Sequence, residues 1–352
     1  MTGERQRCAG NARVGEGQRA TASALTRRLP AVLTVAGGAV TSLACGIAHA
    51  QGQYPEKPLR IIVAYTPAGT TDIIARAIGK KFTEAWKQPL IVDNRPGANG
   101  NIGTEVAAKA APDGYVLLMG TAETHAFNPG LYPQLPYDAL NDFAPISLAA
   151  IVPNIVVVQN SLPVKNLNEL ISHAKKNTGK LAFGLAGIGS VGHLSSELFK
   201  TLAGIDMAHV AYQGSASTLR NLMGGQVQVV IDRIPPYLAQ IKAGKIRALA
   251  VTASQRSPLA PQLPTVAEAG VKGYDAAAWV GLFAPAGTPA EIVAKISSET
   301  QRIVNLPDIR EHLLGLGAQP VGNSPQEFAR FVQDEIAKWG KVIRSANVTP
   351  NR

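Results

Sequence analysis

Cysteine is nearly absent from this sequence, because its only two cysteines, Cys8 and Cys45, lie within the first fifty residues. From residue 51 onward the chain can form no disulfide and offers neither a thiol nucleophile nor a thiolate metal ligand. Disulfide scaffolds, cysteine-dependent enzymes and cysteine zinc sites are therefore excluded as classes for that part.

Charged residues are also few, at 16% of the chain. The full sequence has 34 Lys and Arg against 24 Asp and Glu, and six of the basic and two of the acidic residues fall in residues 1–50. Without that segment, 28 basic and 22 acidic groups leave a net charge of +6. This mild excess has no Lys/Arg run and no interleaved aromatic residues, so no nucleic-acid partner is predicted.

The first fifty residues have the pattern of an export signal. Arg27 and Arg28 precede an apolar stretch at residues 29–47, and Ala48-His49-Ala50 places small residues where a signal peptidase reads them. The pattern predicts a secretory signal, residues 1–50, cleaved after Ala50. A membrane anchor fits less well, because Pro30 interrupts the stretch and no stop-transfer flank follows.

Short apolar runs alternate with helical patterns from residue 59 to residue 252. Such alternation predicts an α/β fold with mainly parallel sheets flanked by helices. At 352 residues and 46% apolar content, the chain can form two domains. Two extended, charge-poor stretches, at residues 145–158 and 276–285, flank a complete strand–helix series. They predict one lobe at residues 52–150 plus 275–352 and a second lobe at 151–274.

The helix starts near the carboxyl terminus carry strong signals. Thr288-Pro289-Ala290-Glu291 and Ser324-Pro325-Gln326-Glu327 each combine a capping residue, a proline and a glutamate. Both predict a capping box.

A strand, a tight loop and a helix start follow one another at residues 60–76. Residues 61–65 form a short apolar run rich in β-branched residues, Pro67 and Gly69 break it, and Asp72 suits a first helical turn. Such a unit directs unpaired amides and the positive end of the helix dipole at one spot, which predicts an anion site. The alternative is an ordinary turn in which Asp72 only complements the helix dipole.

A second glycine-rich turn, Gly187-Ile188-Gly189-Ser190-Val191-Gly192, spells a dinucleotide-binding fingerprint. That reading requires an acidic residue at the end of the next strand, where Tyr212 and Gln213 stand instead. We therefore predict no dinucleotide cofactor, and a second anion site with Ser190 at a helix start.

Three more polar residues follow predicted strands at the edge where ligands collect in α/β sheets. Thr121 follows the strand near residue 115, and Ser215 follows the turn after Tyr212. Ser215 and Asp232 suit either a helix cap or a ligand contact.

Histidine chemistry has little support in the sequence. The five histidines beyond residue 50 form no His-x-x-x-His pair and no cluster with metal-ligand spacing, so no metal is predicted. No Gly-x-Ser-x-Gly motif occurs, and no catalytic residue is predicted. One alternative remains, a secreted hydrolase that uses Ser190 with His193 as its base.

Several ordered segments resemble one protein family. They are residues 66–72 (Thr-Pro-Ala-Gly-Thr-Thr-Asp), 94–100 (Asn-Arg-Pro-Gly-Ala-Asn-Gly), 112–115 (Pro-Asp-Gly-Tyr), 211–216 (Ala-Tyr-Gln-Gly-Ser-Ala), 224–227 (Gly-Gly-Gln-Val), 263–266 (Leu-Pro-Thr-Val) and 281–289 (Gly-Leu-Phe-Ala-Pro-Ala-Gly-Thr-Pro). With them the chain resembles the periplasmic solute-binding proteins of the tripartite tricarboxylate transporter family, the Bug group of extracytoplasmic receptors.

This resemblance implies a two-lobed periplasmic-binding-protein fold that closes over one small organic carboxylate, without catalysis, metal or cofactor. It implies a periplasmic monomer that delivers its ligand to the membrane subunits of a tripartite transporter. A ligand-sensing partner of a signalling receptor is the alternative that the sequence leaves open.

The resemblance also implies ligand-binding positions. In the first lobe they are Tyr65, Thr66, Ala68, Gly69 and Asp72. In the second they are Gly187, Gly189, Ser190 and His193, and side contacts come from Thr121, Tyr212, Ser215 and Asp232. The chain departs from the usual family pattern at Tyr65, Ala68 and residues 186–189, so the resemblance does not define the ligand.

Overall fold

The computed structural model describes residues 54–349, so the predicted signal peptide lies outside the described residues. The strands are β1 (Leu59–Val63), β2 (Leu90–Asn94), β3 (Val116–Thr121), β4 (Phe143–Val152), β5 (Asn154–Gln159), β6 (Ala182–Leu185), β7 (Ala208–Ala211), β8 (Val229–Arg233), β9 (Ile246–Val251), β10 (Ala278–Pro285) and β11 (Gln319–Pro320).

The helices are α1 (Thr70–Trp86), α2 (Asn101–Ala108), α3 (Asn128–Leu131), α4 (Leu167–Lys176), α5 (Val191–Ala203), α6 (Ser215–Met223), α7 (Leu238–Lys242), α8 (Ala290–Val304), α9 (Pro307–Gly315) and α10 (Pro325–Ser345). Short 3-10 turns cover Ala98–Gly100 and Pro235–Tyr237, and a π-helical turn covers Glu123–Phe127. Within residues 54–349, no helix combines the length and apolar character needed to span a membrane.

Two sheets organise the chain. The first has six strands in the order β11-β4-β10-β3-β1-β2, and the second has five in the order β7-β6-β8-β5-β9. Strand β1 runs parallel to β2 and β3, and β6 runs parallel to β7 and β8. The predicted α/β class is therefore confirmed.

Both sheets are mixed, which corrects the expectation of mainly parallel sheets. Strand β10 is antiparallel to β3 and β4, and β5 is antiparallel to β8 and β9. These are the strands that change sheets: β4 leads into β5 through Pro153, and β10 returns the chain to the first sheet. A parallel pair needs a crossover connection, and no helix precedes β5 or β10 to supply one.

Apolar side chains explain how strands and helices pack. Strand β1 buries Ile61, Ile62 and Val63 completely. Helix α5 lies so close to β8 that a Cβ added at Gly192 would stand 2.2 Å from the carbonyl oxygen of Ile231. The third glycine of the dinucleotide-like motif therefore serves helix–sheet packing.

One of the two predicted capping boxes is present. At the start of α10 the Ser324 hydroxyl accepts from the Glu327 amide, and the Glu327 carboxylate accepts from the Ser324 amide. The box predicted at Thr288 is wrong, because its hydroxyl donates to the Pro285 carbonyl over 2.7 Å and Pro289 occupies the N-cap of α8. Thr288 thus closes the turn after β10.

Candidate functional site

A small cavity lies where the two sheets approach each other. Its lining comes from the start of α1, the end of β3 and the turn after it, the end of β4, the end of β8 and the start of β10. The lining residues are Thr70, Thr71, Thr121, Glu123, Val152, Arg233, Ala278, Trp279 and Val280. Arg233 ends a strand of the second sheet, whereas β3, β4 and β10 belong to the first, so both sheets contribute to the cavity.

The loop between β1 and α1 is organised by Asp72, which is 2% exposed. Its carboxylate accepts hydrogen bonds from the Ala68 amide at 2.9 Å, from Asn94 at 2.9 Å and from Arg76 at 3.0 Å. Burial opposes ionisation of Asp72, but these hydrogen bonds outweigh it and lower the pKa of the carboxyl below its ordinary value. Asp72 therefore holds the loop, in which Ala68 has a φ of 66°.

The first residues of helix α1 border the cavity. Its first hydrogen bond joins the Ile73 amide to the Gly69 carbonyl over 3.0 Å, so the amides of Thr70, Thr71 and Asp72 precede its internal ladder. Thr70 and Thr71 line the cavity. Unpaired amides with the positive end of a helix dipole favour an anion there.

Tyr65 lies beside this helix start. Its hydroxyl is hydrogen-bonded to that of Thr121 over 2.8 Å, and its carbonyl accepts from Asn94 over 3.1 Å. Burial raises the pKa of Tyr65 well above its ordinary value, and the charge of Glu123 raises it further. Tyr65 is thus a neutral hydrogen-bonding group that joins β1 to the end of β3.

Glu123 and Arg233 form an ion pair that links the sheets, with 3.7 Å between Arg233 Nη2 and Glu123 Oε1. Neither residue was among the predicted ligand positions. The sequence signals them only through their neighbours, because Glu123 lies two residues after Thr121 and Arg233 directly follows Asp232.

The glycine-rich turn before α5 uses its polar groups internally. The Ser190 hydroxyl donates to the Gly187 carbonyl over 2.7 Å and accepts from the His193 amide over 3.3 Å, so Ser190 caps α5. The Gly189 amide donates to Nδ1 of His193 over 3.1 Å. No described hydrogen bond joins the Ser190 hydroxyl to the His193 ring, and the hydrolase alternative lacks the nucleophile–base contact it requires.

This turn nevertheless reaches the first sheet's helices. A Cβ added at Gly189, whose φ is 73°, would stand 3.1 Å from Cδ1 of Leu131 in α3. Gly189 and α3 are therefore close neighbours across the junction of the sheets.

His193, Glu197 and His209 form a cluster that sequence reasoning missed, since their ligand atoms lie within 4.8 Å of one another. His193 and Glu197 are one helical turn apart on α5, and β7 adds His209. Burial, together with the smaller effect of the neighbouring His209, lowers the pKa of His193 to about 4. Burial alone would raise the pKa of Glu197, yet its hydrogen bond with His209 brings that pKa below its ordinary value.

The cluster fits a metal poorly. Because Nδ1 of His193 accepts from the Gly189 amide, the ring proton of the neutral imidazole stands on Nε2, the atom that faces Glu197. A histidine that binds a metal through Nε2 instead carries its proton on Nδ1 and donates it to a hydrogen bond. Lys200 Nζ, at 3.4 Å from Glu197, also disfavours a second cation.

Of the remaining predicted residues, Ser215 is the first residue of α6 and Gly214 is its N-cap, without a side-chain cap. The capping interpretation of Ser215 is therefore wrong, since capping requires the position that Gly214 occupies. Asp232 is buried and accepts from the Arg233 amide at 2.7 Å and from the Tyr237 hydroxyl at 3.0 Å. The Tyr212 amide donates to the Leu185 carbonyl over 2.9 Å.

The structure brings one group of the predicted residues to the cavity. Thr121 lines the cavity, and Tyr65 and the loop of Thr66, Ala68, Gly69 and Asp72 adjoin it through the contacts above. The described cavity lining does not include Gly187, Gly189, Ser190, His193, Tyr212, Ser215 or Asp232. Ligand contact by all of these positions stays a prediction.

Comparisons with known proteins place these features in context. A family model described as "Tripartite tricarboxylate transporter family receptor" matches residues 74–348. Protein BugT of Bordetella pertussis (strain Tohama I) is 36% identical over 292 residues, which are 83% of this chain and 90% of BugT.

Two solved structures are similar along the whole of their own chains. Rpa4515 of R. palustris with adipate has a TM-score of 0.72 and 41% identity, covering 85% of this chain and 100% of that chain. The periplasmic binding protein BugD has a TM-score of 0.69 and 33% identity, covering 85% and 100%.

Proposed function

Because this chain belongs to the tripartite tricarboxylate transporter receptor family, we propose that it captures a small organic carboxylate between its two sheets and delivers it to transporter membrane subunits. Family membership confirms the resemblance and the two-lobed α/β fold. It also confirms that the chain is not an enzyme, since the family consists of receptors.

The observation that carries the carboxylate proposal is the start of α1. Thr70 and Thr71 line the cavity, their amides take no part in the hydrogen-bond ladder of α1, and the helix dipole adds a partial positive charge at this end. Asp72, the nearest acid on this loop, is neutralised by Arg76 and does not repel an incoming carboxylate. Neutral donors can hold a carboxylate in this way without a dedicated lysine. The solved structure of Rpa4515 with adipate supports the same ligand class.

We further propose that the lobes comprise residues 52–150 plus 275–352 and residues 151–274, and that they close on the ligand. Strands β1–β4, β10 and β11 share one sheet and β5–β9 share the other, which supports this division. The Glu123–Arg233 pair across the cavity supports an approach of the lobes at this point.

For localisation we propose the periplasm, reached by a signal cleaved after Ala50. The family of periplasmic receptors and the Ala48-His49-Ala50 sequence support this. Amino-terminal sequencing of the exported protein would identify the cleavage point, and an uncleaved terminus would contradict it.

A thermal-shift screen of purified protein against small carboxylic acids and their amides tests the function. We expect one class of acids to raise the melting temperature while the matching amides do not. Absence of any response to carboxylates would contradict the proposal.

Thr70→Pro tests the proposed carboxylate site at the start of α1 directly. Proline at the first helical position removes one amide donor while keeping the helix, and Gly69 already has the extended ψ of 162° that a residue before proline requires. We expect carboxylate affinity to fall about tenfold, the value of one charge-assisted hydrogen bond. The control, Ala290→Pro, makes the same change at the first position of α8, outside the cavity lining, and should leave affinity unchanged.

A further inference from the structure

Glu123 lines the same cavity as the α1 start that we propose binds the carboxylate. An acid beside an anion site restricts the chemical class of the ligand. Resting on the function proposed above, we propose that the ligand is an amino-carboxylate. Its carboxylate binds at the α1 amides of Thr70 and Thr71, and its cationic nitrogen binds the Glu123 carboxylate.

Among residues 54–349, no donor forms a hydrogen bond with the largely buried carboxylate of Glu123. The residue is 8% exposed and lines the cavity, and no described hydrogen bond reaches its side chain. Asp72, on the other side of the α1 start, accepts from Ala68, Arg76 and Asn94. Buried charges in proteins are normally paired and hydrogen-bonded. Glu123 therefore has capacity for a donor that enters the cavity.

Arg233 satisfies Glu123 only loosely. The 3.7 Å between Arg233 Nη2 and Glu123 Oε1 exceeds hydrogen-bonding distance. The Arg233 side chain is 42% exposed against 11% for Glu123, so the guanidinium can turn toward water more readily than the carboxylate can. A ligand ammonium that approaches Glu123 to hydrogen-bonding distance would replace a weak partner by a stronger one.

A plain dicarboxylate fits this charge arrangement less well. Its second carboxylate would lie near Glu123, and like charges in a poorly solvated cavity repel. Arg233 could bind that carboxylate only by leaving Glu123, which would then be a buried charge without a partner. An amino-carboxylate can place its carboxylate at the positive helix start and its cationic nitrogen at the negative Glu123.

Matched ligand series test the inference on the wild-type protein. The probes are β-alanine, γ-aminobutyrate and ε-aminocaproate, with L-alanine for a short spacing, each beside the monocarboxylate and dicarboxylate of the same chain length. Thermal shift ranks the probes, and calorimetric titration gives dissociation constants. We expect at least one amino-carboxylate to bind about tenfold or more tightly than both of its partners.

Variants then assign the preference to Glu123. Glu123→Gln keeps the size and removes the charge, and should weaken amino-carboxylate binding about tenfold to a hundredfold while sparing the monocarboxylate. Glu123→Asp keeps the charge and shortens its reach, so it should retain part of the preference. Glu105→Gln removes an acid from α2, outside the cavity lining, and should change nothing.

The outcomes separate the two proposals. If dicarboxylates bind more tightly than amino-carboxylates, or if Glu123→Gln leaves the preference intact, the amino-carboxylate inference is overturned and the carboxylate receptor stands. If no member of any series binds, both are overturned. If amino-carboxylates bind best and lose that advantage in Glu123→Gln, the inference holds.

Discussion

The amide of Gly189 donates a hydrogen bond to Nδ1 of His193 over 3.1 Å. The bond ties the glycine-rich turn after β6 to the first turn of α5, and it requires an imidazole without a proton on Nδ1. His193 is 6% exposed, so its ring belongs to the support of the turn.

Replacing His193 by glutamine should therefore loosen this turn. The Gly189 amide loses its acceptor, which we expect to lower the free energy of unfolding by about 1–3 kcal/mol. If the turn contributes to ligand binding, carboxylate affinity should fall as well. Urea unfolding and calorimetric titration measure the two effects. His312→Gln, at an exposed position on α9, is the control, and equal behaviour of the two variants would contradict a supporting role for His193.

Acid should destabilise the protein well before its carboxylates are protonated. Burial lowers the pKa of His193 to about 4 and that of His125 to about 3, from an ordinary value of 6.5. Below pH 6.5 these histidines bind protons in the unfolded chain but stay neutral in the folded chain. Their contribution to stability is therefore fully present above pH 6.5 and is lost as the pH falls toward 4. At roughly 1.4 kcal/mol per pKa unit, the loss should reach several kcal/mol.

Urea titrations across this range test the effect, and His125→Phe isolates one contributor. The His125 ring stacks on Phe283 with 3.9 Å between centroids, and its Nε2 has no hydrogen-bond partner among the described residues. Phenylalanine preserves the stacking and cannot titrate. A pH slope as steep in the variant as in the wild type would disprove the assignment.

Local signals were sufficient to predict the units of the fold. The β-branched run of β1, the loop at Gly69 and the helix start at Thr70 are adjacent in sequence, and the structure has them in place. The antiparallel insertion of β10 was not predictable, because it depends on where the chain returns after the second sheet.

Side-chain partners of the candidate site were less predictable for the same reason. Glu123 and Arg233 meet because two separate sheets approach each other, and no local pattern encodes that distance. His193 and Glu197 share a helix face that the sequence displays, but the addition of His209 depends on β7 lying beside β6. Residue types indicated which loops carry polar groups. Only the structure shows that Ser190 and Asp72 form hydrogen bonds within their own loops.

Two glycines of the same motif should differ in how well they tolerate alanine. In Gly192→Ala the new methyl would stand 2.2 Å from the Ile231 carbonyl oxygen, so α5 or β8 must shift and we expect a loss of about 3 kcal/mol or more. Gly187 has no atom within 4 Å of its added Cβ, and Gly187→Ala should stay within about 0.5 kcal/mol of wild type. Thermal and urea unfolding compare them, and a tolerated Gly192→Ala would refute the close packing.

Two serines at helix starts provide a last contrast. Ser324 caps α10 and shares a capping box with Glu327, so Ser324→Ala should lower the free energy of unfolding by about 1 kcal/mol. Ser215 stands one position inside α6, where its side chain makes no cap, and Ser215→Ala should leave stability unchanged within about 0.5 kcal/mol. Urea unfolding of both variants decides this, since an equal loss would mean that Ser215 caps α6. If Ser215→Ala leaves stability unchanged, as expected, but weakens carboxylate binding, the Ser215 hydroxyl contacts the ligand. Loss of a helix cap could not then explain the lower affinity.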